Sequence, residues 1–72
     1  DSKIKTKLFD LIEVIEEVDS IQSIPNIKKM QGFQTFYRVR IGDYRVGFEL
    51  VDANTILLIM VAHRKDIYRY FP

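Results

Sequence analysis

YRVRIGDYRVGFEL, residues Tyr37 to Leu50, alternates apolar and charged side chains on both sides of a Gly-Asp pair. A Gly-Asp pair between two alternating runs is the signature of a hairpin with a two-residue loop. That loop fixes the register: Ile41 faces Tyr44, Arg40 faces Arg45, Val39 faces Val46, and Arg38 faces Gly47. Successive strand residues point to opposite faces, so a single register sorts the whole stretch. Tyr37, Val39, Ile41, Tyr44, Val46 and Phe48 share a core face. Arg38, Arg40 and Arg45 share the open one. Directly opposed like charges destabilise a hairpin, and such local conflicts collect at functional sites. Gly47 opposite Arg38 would leave room for a ligand near the backbone. Two anions suit converging guanidinium forks: the phosphodiester of an RNA, or the carboxylates of a protein partner. Composition alone favours the plainer alternative, arginines solvated on an exposed strand face.

Outward from the hairpin, the pattern predicts strands at Gln34 to Ile41, Tyr44 to Val51 and Thr55 to Ala62. The last, TILLIMVA, is apolar on both faces, as in a central or doubly covered strand. A two-residue Ala53-Asn54 loop would set Ala62 beside Arg45 and continue to Arg64. Four guanidinium groups would then converge at one end of the sheet. Ile56, Leu58 and Met60 would line the same face as an apolar strip for a partner helix. Upstream, Ile4, Leu8, Leu11, Ile12, Ile15 and Val18 recur at spacings of three and four, predicting a helix over Lys3 to Val18. Phe9 and Val14 widen its stripe. SIPN makes a Pro-centred connection. Lys28 and Lys29 read as solvated linker charges ahead of the alternative, contact with a phosphate. HRKDIYRYFP is expected to form one helical turn or a docked tail.

The whole chain bounds these readings. Seventy-two residues suit one small domain, which buries only about 60% of its unfolded surface and gains readily from a partner. Without cysteine there is no disulfide framework or thiolate metal site. No apolar run is long enough to cross a membrane, and a cytoplasmic protein is expected. Net charge is +1, which makes no global case for nucleic acid. All the arginines, however, lie in the second half: Arg38, Arg40, Arg45, Arg64 and Arg69. Asp43, Glu49, Asp52 and Asp66 share no geometry for a metal. His63 invites a general-base role by residue type, yet alternation points it away from Arg64, so a structural role is the better reading. Phe36 lies on the arginine face, placed to stack a base or to pack on a partner segment.

GDYR joined to a downstream HRKDIY resembles the RelE/ParE superfamily of type II toxins, nearer the RelE branch. The likeness runs from the first helix to Pro72 and is most specific from Tyr37 to Tyr68. It implies a small α+β toxin, a helix packed on an antiparallel sheet, that cuts messenger RNA on the ribosome and is neutralised by a RelB-like antitoxin. It also implies attack by an RNA 2′-hydroxyl on its own phosphate, leaving a cyclic phosphate. Arg45, Arg64 and Tyr68 match the catalytic positions, and Arg38 and Arg40 the RNA-binding ones, which Phe36 joins. Tyr70 is an alternative to Tyr68, and an amphipathic plug is an alternative role for either. No metal and no small-molecule cofactor is expected.

Two departures stand out. Such toxins open with a strand before the helix, whereas this chain begins at Asp1 inside it, so an N-terminally incomplete domain with an unpaired sheet edge is expected. Lysines of some relatives are arginines here, and arginine carries protons poorly. Two further readings remain open: a ParE-like toxin that inhibits DNA gyrase without cutting, and an inactive relative that only binds its antitoxin.

Overall fold

The computed structural model of the protein describes residues 2–53 and 55–71, so Asn54 of the second expected loop lies outside them. The first element is a helix, α1 (Ser2–Glu17). Its apolar stripe seats Leu11 in the core, flanked by Ile4, Leu8 and Ile15. Phe9 is 64% exposed and does not widen that stripe. At about 100° per residue it stands some 200° around the helix from Leu11, nearly on the opposite side. A short 3₁₀ turn, Ile21–Ser23, follows, begun by the Ser20 hydroxyl accepting from the Gln22 N–H at 3.4 Å. Asn26 then takes a left-handed φ of 62°, a conformation that Asn tolerates better than most residues.

That turn starts a strand the pattern missed, β1 (Ile27–Lys29). It pairs antiparallel with β2 (Phe36–Ile41), Ile27 facing Val39 and Lys28 facing Arg38. Lys28 and Lys29 therefore belong to a strand and not to a linker. The hairpin partner is β3 (Tyr44–Asp52), in the register that Gly42-Asp43 requires: Arg38 to Gly47, Val39 to Val46, Arg40 to Arg45, Ile41 to Tyr44. Gly42 carries the positive φ, 61°, as in turns with Gly at the first central position. Beneath α1, Val46 and Phe48 are fully buried with Val39, and Tyr44 is half-buried. Tyr37 stacks on Phe48, ring centres 5.7 Å apart.

β4 (Thr55–His63) pairs antiparallel with β3, giving the order β1-β2-β3-β4. Arg45 faces Ala62 as expected, but the ladder shifts register between Gly47 and Phe48, and again between Leu50 and Asp52. Met60 faces Gly47 while Leu58 faces Phe48, so Ile59 is the extra residue of a bulge. A bulge moves everything beyond it to the other face. Leu58 and Ile56 consequently leave the arginine face for the core side, and Leu57, opposite Glu49, takes their place. The expected strip of Ile56, Leu58 and Met60 does not exist as one face. Nor is β4 central. It is an edge of the described sheet, with Leu57, Leu58, Ile59 and Val61 exposed.

After β4 the chain turns tightly, the Asp66 N–H donating to the His63 carbonyl at 2.8 Å. It then forms one helical turn, α2 (Ile67–Tyr70). Ile67 and Phe71 are buried, so the segment is both a helical turn and a docked tail.

Candidate functional site

The face turned away from α1 carries the arginines, and β1 completes it. Asn26, Ile27, Lys28, Arg38, Arg40 and Arg45 line a shallow cavity of about 320 Å³. Each of the three arginines is held by a neutral group. An Arg40 NH2 donates to Asn26 Oδ1 at 3.2 Å. An Arg45 NH1 donates to the carbonyls of Gly42 at 3.0 Å and Tyr44 at 2.9 Å, tying the guanidinium to its own turn. The Arg38 guanidinium sits over the Tyr68 ring, 5.3 Å from its centre, a cation–π distance. Among the described residues no carboxylate forms an ion pair with Arg38, Arg40 or Arg45. Cations fixed in place, with no carboxylate to displace, are an arrangement that can receive an anion.

Arg64 is placed differently from expectation. It stands beside the hairpin turn, its N–H donating to the Asp43 carbonyl at 2.8 Å and its Nε 3.9 Å from the Asp43 carboxylate. It does not line the cavity. The group brought together is three arginines and Lys28, with Arg64 near the hairpin end. Both side chains of the Arg64–Asp43 pair are exposed, so the pair is weak and the guanidinium can reorient. Tyr68 is 74% exposed and closes nothing; Ile67 and Phe71 are the plug. Tyr70 is exposed as well, and the ring on Arg38 is that of Tyr68.

Gly47 does not leave an open approach to the backbone. The Phe71 ring fills the space, and a Cβ built on Gly47 would lie 2.7 Å from its Cγ and Cδ1. Phe36 packs edge-to-face between Phe71 and Phe33. His63 stands opposite Tyr44, its ring 5.5 Å from the tyrosine ring, and its Nδ1 accepts the Lys65 N–H at 3.2 Å. Those contacts suit a structural residue, as alternation indicated. Among the described residues no group of three His, Asp or Glu gathers as a metal site. Sequence reasoning missed Asn26 and Phe33 here, and ranked solvation of Lys28 above a phosphate contact. The signal for Lys28 was its pairing with Arg38, which a three-residue strand does not announce.

A helix on an antiparallel sheet, with a basic cavity and a tyrosine tail on the other face, defines a small α+β protein. The family model described as ParE toxin of type II toxin-antitoxin system, parDE, matches residues 1–68, and the chain belongs to that family. A curated relative, Toxin RelE3 of Methanocaldococcus jannaschii, is 49% identical over 43 residues, 60% of this chain and 48% of the relative. The chain thus spans about half the length of that relative. The toxin–antitoxin crystal structure of a RelB-RelE complex from Methanococcus jannaschii is similar at TM-score 0.79 and 38% identity, over 100% of this chain and 84% of that one. Both names fall within the superfamily that GDYR and HRKDIY resemble.

Proposed function

We propose that the protein is the toxin of a type II toxin–antitoxin pair, a ribosome-dependent messenger RNA endoribonuclease of the cytoplasm restrained by a RelB-like antitoxin. The observation that carries this reading is the basic cavity, three arginines and a lysine without a counter-charge, beside the exposed phenol of Tyr68. In the proposed reaction the RNA 2′-hydroxyl attacks its adjacent phosphorus and loses its proton. The 5′-oxygen leaves with a proton, and a 2′,3′-cyclic phosphate remains. Arg45 neutralises the phosphorane oxygens as their charge grows, and Arg64 joins it by swinging from Asp43. Arg38, Arg40 and Lys28 hold the flanking backbone. Tyr68 moves a proton. Every role falls to a side chain, and none is routed through a metal.

Mapping cut sites on translating ribosomes with the full-length protein tests this directly. Cuts ending in a cyclic phosphate are expected, and intact message in the presence of a folded protein would refute the reading. The ParE name of the matching family favours a second reading, gyrase inhibition without cleavage. A supercoiling assay separates the two: the nuclease leaves gyrase untouched.

A further inference from the structure

At the end of the arginine face away from the hairpin turn, three phenylalanines form a chain of edge-to-face rings. Phe33 meets Phe36 at 5.6 Å and 90°, and Phe36 meets Phe71 at 5.8 Å and 82°. The inner rings are covered, whereas Phe33 keeps 42% of its surface. A ring braced on one side and open on the other loses little freedom when a planar ligand stacks on it. Opposite Phe36 stands Glu49. Arg38 and Arg40 share its face on β2, Arg45 and Gly47 on β3, Leu57, Met60 and Ala62 on β4, and Lys28 on β1. Glu49 is the single carboxylate at those positions. The Thr35 hydroxyl donates to its Oε2 at 3.1 Å in a part-buried contact. No hydrogen bond among the described residues engages Oε1.

A carboxylate beside a phosphate-binding cavity is out of place if phosphates are all that comes, since it repels them. It is well placed if a base comes too. Single-stranded RNA splays its bases onto aromatic rings and is read along their Watson–Crick edges. An ionised carboxylate only accepts hydrogen bonds, and has about four lone-pair sites with which to do so. Guanine alone offers two parallel donors on that edge, N1–H and N2–H, which match the two oxygens. Glu49 also lies about 7 Å along β3 from Gly47, the residue facing Arg38, and the Phe71 ring over Gly47 stands between the backbone and base sites. We infer that Phe33 and Glu49 form a nucleobase-reading site that selects guanine in single-stranded RNA. The inference rests on the RNA reading above and adds its specificity.

The test is titration of the full-length protein with GMP, AMP, CMP and UMP, and with inorganic phosphate, followed by amide NMR shifts. GMP should perturb Phe33 and Glu49 at concentrations about fivefold or more below the other nucleotides, the smaller end of what a bidentate pair discriminates. Phosphate should perturb only the arginine cavity. Glu49→Gln replaces one acceptor oxygen by a donor and should erase the GMP preference, leaving the other three nucleotides unchanged. Phe33→Ala should weaken all four alike, because stacking tolerates any base. Shifts confined to the arginine cavity, or a GMP preference unchanged in Glu49→Gln, would overturn the inference. A Glu49-dependent GMP preference in a protein that cuts no message would keep the base site and sink the nuclease. Arg45-dependent cleavage by a protein blind to the base would do the reverse.

Discussion

Arg45 illustrates what a single side chain contributes here. The carbonyls of Gly42 in the turn and of Tyr44 beside it accept from the guanidinium, so its position does not depend on the ligand. Losing one preorganised donor of transition-state charge typically slows a reaction about 100- to 1,000-fold. Arg45→Ala and Arg64→Ala should therefore each abolish growth inhibition by the full-length protein, with circular dichroism unchanged. Tyr68→Phe should slow cleavage more than it weakens ribosome binding if the phenol moves a proton. Equal slowing of both would assign the ring to its contact with Arg38. Gly47 makes the opposite case, a residue whose missing side chain matters. Its Cβ would stand 2.7 Å from the Phe71 ring, so Gly47→Ala should cost about 1–3 kcal/mol by overpacking. In a Phe71→Ala background that cost should largely vanish, because the methyl then enters the space left by the ring. Urea melts of the four proteins of the cycle measure it, and strict additivity would refute the contact.

At the scale of elements, β1 matters more than its three residues suggest. It contributes no buried side chain of its own, but it delivers Lys28 opposite Arg38 and, through the turn before it, Asn26 to Arg40. Neutralising one phosphate contact on single-stranded RNA removes about 0.7 from the slope of log affinity against log salt. Lys28→Ala should lower RNA affinity with a shallower slope of that size, whereas Lys29→Ala, on the opposite face of the strand, should change neither. A slope unchanged in Lys28→Ala would return that lysine to plain solvation. The bulge at Ile59 acts through its own element. By resetting the face of Leu58 and Ile56 it gives them to an apolar cleft with Ile12 and Ile15 of α1 and Val18 just after it.

The whole molecule is a thin sandwich: one helix over one face of a sheet, a short tail over part of the other, and β4 along an edge with its apolar side chains exposed. Exposed apolar edges favour pairing with another strand. A small domain with little core to spare gains much from such cover. A RelB-like antitoxin peptide at one hundred times its Kd should add about 2.7 kcal/mol to stability. For a domain of this size that raises Tm on the order of 10–20 °C. Thermal melts with saturating peptide check it, and an unmoved midpoint would remove the antitoxin from the proposal.

Much of this was legible in the residues. Strand side chains alternate with a period of two, and Gly42-Asp43 admits one tight pairing, so the Arg40–Arg45 register and the faces of the hairpin followed from sequence order alone. The helix followed from its three-and-four spacing. What tertiary structure decided was non-local. A three-residue strand has too little pattern to read, and β1 exists because β2 pairs with it. The extra residue at Ile59 carries no signature, so the faces of Leu58 and Ile56 were set by the ladder. Arg64 was drawn to Asp43 by the way the end of β4 meets the hairpin turn. The space over Gly47 looked open because nothing near it in sequence fills it. Phe71, brought back by the turn after β4, fills it because a buried ring packs closest to the backbone where no Cβ intervenes.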